Sequence, residues 1–168
     1  MTRVESRQEA LARAWSVYEG MPAEIAGARL TLSEHKLLIK RPLHMEGRID
    51  QLYFGNAGRY VIVDSKRRFK PRVTPEDLVQ LSCYRFMLDY SDETSMCRGR
   101  LAEHGYIRAV GNGQPRYLPV RLLPANAVVA LYQRWLSLYE GTARNVLFQA
   151  TEENCAKCVG RMTCNQVF

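Results

Sequence analysis

GRIDQLYFGNAGRYVIVDSKRR, residues 47–68, holds two strand-like runs around a glycine-rich turn. Tyr60-Val61-Ile62-Val63 is β-branched and apolar, as in a strand buried on both faces, yet it runs into Asp64-Ser65-Lys66, and the run before the turn carries Asp50. Gly55-Asn56-Ala57-Gly58 makes the pair a hairpin of strands over 47–54 and 59–66. Side chains alternate along a strand, so Asp64 and Lys66 share one face while Ser65 takes the other. If the hairpin bends or splays, the Asp50 carboxylate can approach Asp64 within the span of one hard cation. Bare carboxylates so placed repel and shift their pKa values, and Mg²⁺ or Mn²⁺ held by oxygen ligands removes that cost. Such a cation lowers the pKa of a bound water and draws charge from a phosphoryl oxygen, with Lys66 placed to hold the attacking water or the developing anion.

Working outward, the pattern predicts a first helix over 5–19, with Leu11, Trp15 and Tyr18 at helical spacing and Gly20 as its stop. Residues 21–33 read as irregular, followed by a strand over 35–40. After the hairpin, Thr74 can cap a helix, Pro75 suits its first position, and Glu76 and Asp77 complement its N-terminal dipole, so a helix runs to residue 90. Strands over 103–110 and 116–122 flank Gly111-Asn112-Gly113, and a helix over 125–140 presents Val128, Leu131, Tyr132, Trp135 and Leu138 inward. The expected fold class is therefore α/β, a sheet flanked by helices, with a C-terminal cysteine tail.

The 168 residues suit a single domain, with 46% apolar and 24% charged residues. No apolar run approaches the roughly 20 residues of a membrane span. The N-terminus lacks the apolar core of a secretory signal, which points to the cytoplasm. A net charge of +7 favours polyanionic partners. Lys66, Arg67, Arg68, Lys70 and Arg72 put five cations into seven residues directly after the strand that ends in Asp64-Ser65-Lys66, where they would draw a phosphate backbone toward the cation. Phe69, among them, can stack on an unpaired base or anchor to the core. Lys40, Arg41 and Arg48 extend the basic surface. On the capped helix, Gln80 and Tyr84 lie one turn apart on one face, and both can donate hydrogen bonds to a water or a phosphate.

Cys155-x2-Cys158-x5-Cys164 places three thiols in the last fourteen residues. An odd total of five cysteines without an export signal argues against a disulfide framework. Soft ligands at this spacing suit an iron-sulfur cluster or zinc in a structural role within 150–168. Cys83 reads as a buried core thiol, and Cys97, in a polar loop, as the freer one.

Gly47-x-x-Asp50, Val63-Asp64-Ser65-Lys66, Gln80-x-x-x-Tyr84 and the C-terminal cysteines, in this order, resemble the PD-(D/E)XK nucleases of the RecB-like branch. Within that branch the chain is most similar to the small iron-sulfur nucleases of CRISPR adaptation, the fourth of the CRISPR-associated proteins. The resemblance implies a restriction-endonuclease-like mixed sheet in a single nuclease-like domain. It assigns Asp50 and Asp64 to Mg or Mn, with the Ser65 carbonyl as a further ligand, Lys66 to catalysis, and Gln80 and Tyr84 to its support. An upstream histidine ligand is common in the family, and His44 and His35 are the candidates here. The resemblance further implies a 4Fe-4S cluster on Cys155, Cys158 and Cys164. The family's fourth cysteine, from the N-terminal region, has no counterpart before Cys83, so Cys83, Cys97 or another residue completes the site, or zinc replaces the cluster. The implied partners are DNA with single-stranded ends and the CRISPR integrase. The expected activity is single-strand end trimming or exonuclease digestion. The rivals are a catalytically inactive module binding DNA or a protein, and a recombination exonuclease of a phage or plasmid.

Overall fold

The computed structural model describes residues 6–111 and 113–142. Cys155, Cys158 and Cys164 lie outside them. The elements, in chain order, are α1 (Arg7–Glu19), β1 (Arg29–Ile39), β2 (Met45–Phe54), β3 (Tyr60–Arg67), α2 (Pro75–Tyr90), β4 (His104–Val110), β5 (Arg116–Arg121) and α3 (Ala125–Tyr139). The chain divides into two compact units, Met1–Leu131 and Tyr132–Phe168, and the sheet belongs to the first.

One five-stranded sheet has the order β1-β2-β3-β4-β5. The first three strands form an antiparallel meander, β3 and β4 run parallel, and β5 returns antiparallel. The short turn at Gly55 joins β2 to β3, closed by Gly55 N–H donating to the Arg59 carbonyl at 2.8 Å, with Gly58 at φ 72°. A parallel neighbour for β3 requires a long crossover, and α2 lies within it.

Thr74 starts α2 through a full capping box with Asp77, reinforced by Pro75 at the first turn. From α2, Leu81, Tyr84, Met87 and Leu88 pack on Leu37, Ile49, Leu52, Ile62 and Ile107, forming the larger core on one face of the sheet. On the other face Val61 and Val63 meet Ile25, Ala102 and Tyr106. The two sets alternate along β3, which is why the run 60–63 is apolar at every position.

Three expectations change. The first strand begins at Arg29, inside the stretch 21–33 read as irregular, because its backbone pairs with the far end of β2 (Arg29↔Phe54, Leu30↔Tyr53) across a register shift, while its side chains stay largely exposed. Helix α1 does not turn Leu11, Trp15 and Tyr18 inward. They are exposed, and the residues it buries are Ser16 and Glu19. Glu19 accepts a two-pronged bond from Arg108 on β4, at 2.7 and 2.8 Å, so the helix is fastened to the sheet by charge. In α3, Val128 is buried, whereas Leu131 and Trp135 are exposed. Tyr132, Trp135 and Tyr139 form a row of ring contacts along that helix. Among the described residues no helix is long and apolar enough to cross a membrane.

Candidate active site

The two acidic residues of the opening stretch meet where β2 and β3 part. Pairing between these strands ends at Gln51↔Val63, one step before Asp50 and Asp64 would face each other. In place of a backbone bond, the Ser65 N–H donates to Asp50 Oδ2 at 2.8 Å. Strand β2 is also irregular at this point: Ile49 and Leu52 both enter the larger core although regular alternation would put them on opposite faces. Its neighbour on β1, Glu34, lies between the pairs Ser33↔Gln51 and His35↔Ile49 and has φ 49°, a left-handed backbone uncommon outside glycine.

Asp64 is 1% exposed. The Lys66 ammonium stands 2.7 Å from its Oδ2 and is the charge partner of that oxygen. Gln80 Nε2 reaches Asp64 Oδ1 at 3.4 Å and the Tyr84 hydroxyl at 2.7 Å. Burial pushes the Asp64 carboxyl above its ordinary value; Lys66 opposes this, and the charge of Asp50 adds to it. Burial likewise raises the Tyr84 phenol, with Gln80 lowering it and Asp64 and Asp50 raising it, so the hydroxyl keeps its proton at neutral pH. The structure therefore brings Asp50, Asp64, Lys66, Gln80 and Tyr84 to one place, with Ser65 joining through its backbone.

Gly47 has a physical reason that its motif alone does not reveal. A Cβ there would stand 2.9 Å from Tyr84 Cε1 and 2.9 Å from Met87 Cε. Only a bare backbone lets the α2 side chains lie this close over β2.

The histidines stand elsewhere. His44 is exposed in the segment before β2, and His35 on β1 faces Glu93 at 3.8 Å. Among the described residues no group of three His, Cys, Asp or Glu side chains is gathered as a metal site. The donors at hand are two carboxylates and nearby backbone, and this oxygen set fits a hard cation that keeps water and substrate oxygens in its shell. The cysteine expectation is reversed within the described residues: Cys97 is 0% exposed in the larger core, whereas Cys83 is half-buried. Burial pushes the Cys97 thiol up to about 11 and raises Cys83 as well.

The basic run separates into distinct roles. Arg68 points back to α2, donating to Asp77 Oδ2 at 2.6 Å and Oδ1 at 2.7 Å and to the Arg72 carbonyl at 2.7 Å. It is therefore a brace for the segment 68–74, not the freely exposed cation expected from the run. Lys70 and Arg72 are exposed on that braced segment, and Arg67, also exposed, ends β3 on the face opposite Lys66 by alternation. Phe69 is 83% exposed and does not anchor to the core. Arg48 pairs with Glu34 at 3.4 Å. The Glu19–Arg108 pair carries no legible signal in the sequence, since its partners are separated by 89 positions.

No protein-family model matches the chain, and no curated protein matches it. Among solved structures, that of SSO0001 matches with a TM-score of 0.50 at 14% identity, covering 93% of this chain and 66% of that one. At this identity the likeness concerns the fold, and this chain spans only part of the other protein's length. The mixed sheet flanked by helices is consistent with a restriction-endonuclease-like fold.

Proposed function

We propose that the chain is a divalent-metal-dependent deoxyribonuclease that trims or degrades single-stranded DNA ends by phosphodiester hydrolysis. The observation that carries this reading is the buried Asp64, paired to Lys66 and crowded by Asp50, Gln80 and Tyr84. Lys66 offsets the charge of one of two neighbouring carboxylates, and a hard cation held by both would offset the other. Asp50 and Asp64 would hold Mg or Mn, with the Ser65 carbonyl a further oxygen donor. When bound, the cation supplies an acidified water and withdraws charge from the phosphoryl group.

The remaining work falls to the chain's own side chains. Lys66, tethered at Asp64, orients the attacking water and faces the negative charge that grows on the phosphoryl oxygens. Gln80 bridges Tyr84 and Asp64 and so fixes the direction of that carboxylate. The Tyr84 hydroxyl accepts from Gln80 and keeps its own proton to donate to a phosphate oxygen. The motif order that resembles the CRISPR-adaptation nucleases supports a role in preparing DNA for an integrase, with an iron-sulfur cluster, or zinc, on Cys155, Cys158 and Cys164.

The test uses an end-labelled single strand with Mn²⁺. Cleavage should stop with chelator and fall at least about 100-fold in Asp64→Ala or Lys66→Ala, the usual scale for losing a charge-stabilising group. Metal-independent cutting, or Lys66→Ala cutting at the wild-type rate, refutes the assignment.

A further inference from the structure

Beyond the acidic site the same sheet edge carries a second feature. Strands β3 and β4 run parallel and end together, and ligands of open α/β sheets gather outside such carboxyl ends. There a cleft of about 190 Å³ is lined by Arg68, Phe69, Pro71, Ala109, Gly111, Gln114 and Arg116. That is smaller than the roughly 300–1,000 Å³ of sites for drug-sized molecules, so it suits one unit of a chain, not a whole free metabolite. Ala109 pairs with Lys66 in register, which puts the cleft wall about 5 Å across the ladder from the proposed catalytic lysine.

The lining is polar and basic. Arg116 is exposed, and its guanidinium has no partner among the described residues. Arg68 uses three of its N–H donors on Asp77 and Arg72, and a guanidinium has five. Gln114 adds an amide. At Gly111 a Cβ would stand 2.6 Å from the Arg68 carbonyl, so only glycine lets the β4 end close against the 68–74 segment and shape the floor. Phe69 stands at the rim, 83% exposed, on a segment that the Arg68–Asp77 fork holds in place. An exposed aromatic ring beside the unpartnered Arg116 matches a phosphate joined to an unstacked base, the pairing that single-strand binders use.

We propose that this cleft is a nucleotide subsite. Arg116 and Gln114 take the phosphate of a residue adjoining the scissile bond, and Phe69 stacks on its base, which must be unpaired to present a face. This rests on the nuclease reading for its biological meaning, but the binding it asserts needs no metal and no cleavage.

The experiment measures anisotropy of fluorescein-labelled oligothymidylate with the full chain in EDTA. Phe69→Ala should weaken binding about tenfold, within the range of one base–aromatic stack, and Phe69→Trp should restore it. Arg116→Gln should weaken binding and make the salt dependence shallower by roughly 0.7, the value of one phosphate on a single strand. Thermal melting checks that the variants fold. Wild-type affinity and salt slope in both Phe69→Ala and Arg116→Gln overturn the proposal. So does an equal loss by Phe69→Ala on a blunt duplex, or competition by polyglutamate as effective as by oligothymidylate, which would make the cleft a general acidic-peptide or polyanion surface. If instead the wild type binds as predicted but never cuts with Mn²⁺, the subsite stands and the nuclease reading fails.

Discussion

Replacing Asp77 by alanine should damage the protein in two measurable ways. Asp77 is 1% exposed and accepts from Arg68 at 2.6 and 2.7 Å and from the Thr74 N–H at 2.8 Å. Loss of the capping interaction costs about 1 kcal/mol. Removing one partner of a buried ion pair costs about 3–5 kcal/mol, and the lower end applies because Arg68 is 22% exposed and water can partly replace the carboxylate. The sum, about 4 kcal/mol, corresponds to a fall of about 8–16 °C in Tm for a chain of this size. Urea unfolding and thermal melting read it directly. The pH dependence supplies an independent arm. Burial by itself would raise the Asp77 carboxyl, but the bonds from Arg68 and Thr74 outweigh burial and hold it below its ordinary 3.8. The fold thus favours the ionised form, whose contribution is complete above the unfolded value and is lost as pH falls through the depressed one. The stability difference between wild type and D77A should be constant from neutrality to about pH 5 and narrow in stronger acid. A loss below about 1 kcal/mol at neutral pH, the worth of an exposed pair, or a difference that widens in acid, refutes the reasoning.

Other outcomes follow from the same geometry. Gly47→Ala puts a methyl 2.9 Å from the Tyr84 ring, and should cost about 1–3 kcal/mol while cutting metal-dependent cleavage far more than the folded fraction; cleavage at the wild-type rate counts against the packing argument. Free Mn²⁺ at about 100 times its Kd should stabilise the wild type by about 2.7 kcal/mol in thermal melts and leave Asp64→Asn unmoved; equal stabilisation of both would place the ion elsewhere. Cys97, fully buried with its thiol pushed up to about 11, should escape iodoacetamide in the folded protein and react on unfolding, as peptide mass mapping reads. Labelling of native Cys97 at the rate of an exposed thiol contradicts its placement.

Much of the architecture was legible because its causes are local. The β3 run, the glycine turn and the Thr74–Asp77 box each act within a few residues, so the order of helices and strands follows from them, and every strand end except the start of β1 falls close to expectation. The face of α1 was not legible. Leu11, Trp15 and Tyr18 have the spacing of a buried stripe, but Arg108 on a distant strand claims Glu19 and turns the helix the other way. Cys97 looked free in a polar loop, yet the core closes over it.

The candidate site divides along the same line. Sequence by itself determined which residue types could serve a phosphoryl group, and that alternation puts Asp64 and Lys66 on one side, because side-chain direction along a strand is a property of the backbone. Only the tertiary structure decided that β2 leaves its ladder at Asp50, that Gln80 reaches across to Asp64, and that Arg68 braces α2 while Arg116 opens onto a cleft. These depend on where strands separate and on which charges, remote along the chain, find each other, and such choices are made by packing between elements and have no local period to betray them.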